Sequence, residues 1–127
     1  MSEVGILRVT IGVESHARRG DVRELPAMLV DTSNWYTWIP RSVLEDLSIG
    51  AERVEPFATA DGRMIAREIG YAIVHAGGAR ASDAVVFAEP GDIVFLGARA
   101  IEGMNLRVDL QAKRLVPAGP IPATIAA

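Results

Sequence analysis

A mainly β fold, closing as a small barrel with one or two short helices and one lobe per chain, is predicted by three features of the sequence. Apolar residues come in short runs, several of them alternating with polar ones, as strands with one buried face require. Turn-forming pairs divide these runs at short intervals, at Asp61-Gly62, Gly77-Gly78 and Pro90-Gly91, which is the punctuation of hairpins. Only the stretches after Pro40 and after Gly97 read as helical.

The first predicted strand is Gly5 to Val13, where Ile6, Val9 or Leu7, Ile11 and Val13 interleave with Arg8, Thr10 and Gly12. Ser15 to Asp21 is a polar turn. Val22 to Val30 is the second strand, and Pro26 within it lacks a ladder donor, so part of this strand belongs at an edge or a bulge. Trp35 to Ile39 is a short aromatic strand. Pro40 to Gly50 follows as a helix, with proline at its start and glycine past its end. Glu52 to Ala60 and Arg63 to Val74 are the arms of a hairpin tipped by Asp61-Gly62.

After the Gly77-Gly78 turn, Ala84 to Ala88 is a strand, and Glu89 to Asp92 is a turn. Ile93 to Leu96 is a further strand, whose consecutive large apolar residues predict burial on both faces. Ala98 to Met104 forms one or two helical turns. Leu106 to Val116 returns as strand with a bend at Gln111-Ala112. Pro117 to Ala127, rich in Pro and Ala, cannot extend a sheet and forms a tail. The division is therefore a domain over 1–116 and a tail over 117–127.

Composition excludes several function classes. The chain has 127 residues, 50% of them hydrophobic and 23% charged, which suits one globular domain burying about two-thirds of its unfolded surface. There is no cysteine, which removes disulfides, thiolate metal sites and cysteine nucleophiles. A net charge of −3 offers no general attraction to phosphate backbones, so nucleic acid is not an expected partner. The Met1 to Gly5 segment does not resemble a leader, and no run approaches the roughly 18 apolar residues of a membrane span. A soluble, cytoplasmic protein without a membrane partner is expected.

One carboxylate stands out. Asp31 lies at the end of the apolar run Ala27-Met28-Leu29-Val30 and opens the polar segment Thr32-Ser33-Asn34. An isolated charge is costly beside a buried strand, so Asp31 either opens a turn by bonding its own backbone or serves a chemical purpose. Other candidates are weaker. His16 and His75 lack metal-ligand spacing to any partner and read as surface residues. Trp35, Tyr36 and Trp38 read as core or pocket wall, Trp38 as core. Arg18-Arg19 is a solvated pair, Gly77-Gly78 lacks the helix of a phosphate loop, and Ser15, Ser42, Ser48 and Ser82 carry no nucleophile signature. Glu89 and Asp92 read as turn residues.

Taken in order, the apolar strand delivering Leu29-Val30-Asp31-Thr32, the hairpin from about Phe57 to Ile69, and the segment Phe95-Leu96-Gly97-Ala98 resemble the retropepsin-like aspartic proteases over roughly Ile6 to Val116. The segments Tyr36-Thr37-Trp38-Ile39-Pro40-Arg41 and Gly103-Met104-Asn105-Leu106-Arg107-Val108-Asp109, with Lys113 to Pro117, are similar more narrowly to small stand-alone prokaryotic members of clan AA. The resemblance implies an acid-protease-like barrel and an aspartic endopeptidase acting through a water activated by an aspartate pair. One chain carries one such motif, so a homodimer with a second copy is implied, with a peptide or protein as substrate and neither metal nor other cofactor. Asp31 is then catalytic. Thr32, Ser33 and Asn34 support its loop; Ala60, Asp61, Gly62, Arg63 and Met64 form a flap over substrate; Leu96 and Gly97 pack under the loop.

The chain departs from the family pattern at Ser33, where glycine is usual, and at Asn34, where a small residue is usual. The alternative is thus a catalytically impaired peptide-binding module on the same fold. A purely structural β domain is a third reading.

Overall fold

The computed structural model describes residues 6–125, so the expected strand start at Gly5 lies outside the described residues. Nine strands and two helices follow one another within them: β1 (Arg8–Glu14), β2 (Val22–Asp31), β3 (Thr37–Pro40), α1 (Arg41–Asp46), β4 (Arg53–Ala58), β5 (Met64–Ala76), β6 (Ala79–Ala88), β7 (Phe95–Gly97), α2 (Ala98–Gly103), β8 (Leu106–Asp109) and β9 (Arg114–Pro117). Seven strands form one sheet in the order β1-β2-β7-β3-β6-β5-β4, and a further β1–β5 pairing closes six of them into a barrel with β4 outside. Gly12 lies at that seam opposite His75. A Cβ on Gly12 would come within 2.7 Å of Val22 and 3.1 Å of His75, so closure depends on the missing side chain. The core is filled by Ile11, Val13, Ile39, Leu44, Val74, Val85, Phe87 and Leu96, each at most 1% exposed.

Local rules explain most element ends. Val9 pairs with Met28 but Ile11 pairs with Leu25, so Pro26 and Ala27 together oppose Thr10 as a β-bulge, with Ala27 at φ +56°. The missing Pro26 donor is absorbed there. Pro40 caps α1 with φ −53°, already suited to a helix start. The helix closes through Ser48, at φ +59°, and Ile49 N–H donates to Leu44 O at 2.9 Å, so the left-handed closing residue is Ser48 and not Gly50.

Three expectations need correction. Ile93 is 71% exposed and β7 begins only at Phe95; the turn across Glu89 to Asp92 carries Ile93 to the surface before the chain enters the barrel. Leu106 to Val116 is not one bent strand but two, paired as a separate hairpin. Asp109 accepts the Ala112 N–H at 3.0 Å and Lys113 takes φ +56°, which reverses the chain. Pro117 is the last residue of β9, opposite Leu106, an end position where its missing donor costs little. From residue 118 to 125 no strand or helix forms.

The long hairpin projects from the barrel. β5 pairs with β6 only from Ile69 onward, whereas residues 64–68 pair with β4 alone. Two adjacent residues tie the hairpin stem to the turn before β7. Arg67 makes a two-pronged pair with Asp92, at 2.7 and 2.8 Å, and Arg41 bridges Glu68 and Glu89. Glu89 and Asp92 thus act as ion-pair partners as well as turn residues.

His75 is also not a free surface residue. Its Nε2 lies 2.8 Å from Glu14 Oε1, and Glu14 is only 3% exposed. The Gly20 N–H donates to Glu14 Oε2 at 2.6 Å and Arg19 Nε at 3.0 Å. These donors, Gly20 first, then His75 and Arg19, lower the Glu14 pKa from 4.5 to about 2 against the opposing effect of burial. A carboxyl depressed on folding stabilises the fold above its unfolded pKa, and the contribution is lost as pH falls from 4.5 toward 2. Thermal unfolding followed by circular dichroism should therefore show Tm falling over this range. Glu14→Gln should give a lower Tm at neutral pH and a shallower acid slope; an unchanged slope would remove this account.

Candidate active site

Met28 and Val30 are buried and Asp31 is half-buried at the exit of β2. The strand is held on one side by β1 and on the other by β7, in parallel register Leu29 to Phe95, Val30 to Leu96 and Asp31 to Gly97. β7 in turn pairs antiparallel with β3 through Trp38 and Phe95. The strands before and after the Asp31 loop are therefore separated by β7, and the loop must pass over it.

That passage leaves no room for a side chain on Gly97. A Cβ there would lie 2.3 Å from Tyr36 O and 2.8 Å from Trp35 O. The contact is backbone on backbone, so accommodating alanine would cost at least about 1–3 kcal/mol. Hydrogen bonds fix the same junction. Gly97 N–H donates to Thr37 Oγ1 at 2.9 Å, Ala98 N–H to Asn34 O at 2.8 Å, and Arg99 N–H to Trp35 O at 2.9 Å. Leu96, fully buried, anchors the segment in the core.

Three donors from the loop converge on the Asp31 carboxylate. Ser33 N–H donates to Oδ1 at 3.0 Å, the Ser33 hydroxyl donates to the same oxygen, and Asn34 Nδ2 donates to Oδ2 at 2.8 Å. The Ser33 hydroxyl has the largest effect on its pKa, which lies below the ordinary carboxylate value; burial opposes this, while Ser33 N–H and Asn34 add to it. The arrangement is an Asx turn with an added hydroxyl donor, and it favours the ionised form of Asp31. Thr32 is exposed beside a small cavity of about 170 Å³ shared with Leu7, Val30, Val108 and Leu110.

An open cleft of about 590 Å³ lies between this loop, the β4–β5 hairpin and the turn before β7. Asn34 reaches it from the loop, Ala60 and Arg63 from the hairpin tip, and Ile93 and Phe95 from the far side. Its apolar wall is Trp38, stacked on Phe95 at 6.1 Å and meeting Phe57 edge-on at 5.2 Å. Trp38 is thus half-buried pocket wall rather than full core, and Trp35 is 51% exposed. The tip is a tight turn with Gly62 at φ +86°. Thr59 and Arg63 both bond Asp61, Arg63 Nε at 2.9 Å.

Of the residues singled out from sequence, the structure brings Asn34, Ala60 and Arg63 to one cleft. Asp31, Thr32 and Ser33 sit on the adjoining loop, and Asp61, Gly62 and Met64 are exposed at the tip outside the lining. Thr37, Asp83 and Arg99 join the site's support without having been singled out; the one sequence signal was a carboxylate, Asp83, directly preceding the apolar run Ala84-Val85-Val86. Among the described residues no group of three or more His, Asp or Glu could hold a metal ion, and no helix is long and apolar enough to cross a membrane. Neither protein-family models nor curated proteins yield a match to the chain.

Removing the Ser33 hydroxyl should release Asp31 toward ordinary acidity. In Ser33→Gly the Asp31 titration, read by carboxyl ¹³C NMR, should move to higher pH while the fold persists; a midpoint unmoved would show that Ser33 does not hold the charge.

Proposed function

We propose that the chain is one half of a homodimeric, retropepsin-like aspartic endopeptidase, with Asp31 of each copy forming the catalytic pair. The observation that carries this reading is a single carboxylate held by three donors at the exit of a buried strand, in register with Gly97, on the loop that adjoins an open cleft of about 590 Å³. The order of the sequence motifs supports it as well. Amide hydrolysis needs a base to take a proton from water and an acid to protonate the departing amine. Two carboxyls in contact divide these roles, because like charges a few ångströms apart cannot both ionise cheaply.

In this reading the ionised Asp31 accepts a proton from water as the water oxygen bonds to the scissile carbonyl carbon. The protonated Asp31 of the other copy gives its proton to the carbonyl oxygen. Proton transfer to the amide nitrogen then accompanies C–N cleavage, releasing a carboxylic acid and an amine and restoring one shared proton. The chain's own donors, Ser33 and Asn34, favour the charged member of the pair. The cleft suits an extended peptide: β4 pairs only with β5 among the described residues and contributes Phe57 and Ala58 to the wall, leaving its other edge open to strand addition. Ala60 to Met64 would close over the peptide and exclude water.

The same donors favour a second reading, a peptide-binding module that has lost turnover. A carboxylate satisfied three times from its own loop gives up affinity for the shared proton. Both readings are separated by one assay. Purified protein should hydrolyse a mixed peptide library at mildly acid pH, and Asp31→Asn should lower the rate by at least about 10³-fold. Peptide binding without cleavage would favour the module, and cleavage unaffected by Asp31→Asn would remove the peptidase reading.

A further inference from the structure

Among the described residues, Asp83 is the one acidic side chain on the barrel wall that is buried with an oxygen left over. It sits on β6 opposite Ala72 and is 3% exposed. Its Oδ1 accepts from Arg99 Nε at 2.7 Å, while Oδ2 has no hydrogen-bond partner among the described residues. Burial raises its pKa, and the Arg99 guanidinium, with a smaller effect of the Ala84 N–H, opposes that rise. A buried charge with an unsatisfied oxygen is expensive, and a well-packed apolar pair would serve stability as well or better. That cost is consistent with a role for Asp83 other than stability.

Its partner supplies one. Arg99 stands in the first turn of α2, two residues after Gly97, and its side chain and its backbone point to different tasks. The guanidinium is anchored by Asp83. The backbone N–H of Arg99 holds Trp35 O, and that of Ala98 holds Asn34 O. Asn34, held in this way, donates its side-chain amide to Asp31 Oδ2. A continuous set of bonds thus runs from the β6 wall through the start of α2 to Oδ2 of the candidate catalytic carboxylate.

We infer that Asp83 is a positioning residue for Asp31: it clamps Arg99 so that the start of α2 presents its two N–H groups to the loop and aims Asn34 at the carboxylate. The chemical importance of this clamp rests on the reading of Asp31 as catalytic; its effect on Asp31 does not. The sign of that effect is diagnostic. Removing the Asp83 charge acts on Asp31 through space by making it more acidic, since a nearby negative charge disfavours a second one. Loosening Asn34 acts the opposite way, because a lost donor destabilises the ionised form.

The test follows Asp31 by carboxyl ¹³C NMR and the Ala98 and Arg99 amides by hydrogen exchange in the intact chain. In Asp83→Asn and in Arg99→Lys, which keeps the charge but not the planar fork, the Asp31 midpoint should move to higher pH. Exchange at both amides should accelerate roughly tenfold, as expected for a lost charge-assisted bond. Glu102→Gln, an equal charge change on the exposed face of α2, should alter neither. A midpoint unmoved or lowered in the folded variants overturns the inference, and Arg99→Lys decides it alone where Asp83→Asn does not fold. Because the titration is read without turnover, an inactive parent protein would remove the peptidase reading and leave this result intact. Where hydrolysis is present, kcat should fall with KM little changed.

Discussion

The contact of Gly97 with the carbonyls of Trp35 and Tyr36 is the constraint on which the site depends. β7 is inserted between β2 and β3, so the loop joining those strands has to cross it at backbone distance. Any side chain at position 97 would meet Tyr36 O at 2.3 Å. Once the crossing is made, three N–H groups of residues 97–99 find acceptors in residues 34, 35 and 37, and the loop has little freedom left. Asp31 inherits its position from that packing, since its own register partner is Gly97.

Rigidity below the loop contrasts with projection above it. The β4–β5 hairpin leaves the barrel where β6 ceases to pair with it, and charged pairs act together with the packing of Phe57 on Tyr36 and Trp38 to hold its stem. Arg67 and Asp92 are both largely screened from solvent, at 18% and 15% exposure, and they set the distance between the stem and the turn that carries Ile93. The tip beyond is polar and exposed. In the proposed peptidase reading, a firmly held carboxylate beneath a projecting hairpin is the division of labour that cleavage of an extended peptide would use.

Local chemistry made much of this legible in the sequence. Asp61-Gly62 and Gly77-Gly78 specify turns through φ and side-chain bonding alone, and Pro26 marks the bulge because its missing donor has to be placed somewhere. The identity of Asp31 as the carboxylate to watch came from the apolar run before it. Long-range pairing was not legible in the same way. Glu14 and His75 are 61 positions apart, and nothing near either residue announces the other. Ile93 belongs to an apolar run, yet the preceding turn puts it in solvent. Asp83 and Arg99 meet only because β6 and α2 pack together, and the separation of Leu106 to Val116 into two strands depends on a left-handed Lys113, a conformation that lysine does not advertise.

Hydrolysis as proposed needs two carboxylates, and one chain supplies one in this position. The requirement is therefore a spatial one, tested most directly by the separation of the two Asp31 carboxyl groups in a crystal structure of the purified protein. A two-fold dimer with these groups within hydrogen-bonding reach of each other, about 2.5–3.2 Å, is the predicted result. A monomer, or a dimer that places them on separate faces, would contradict it.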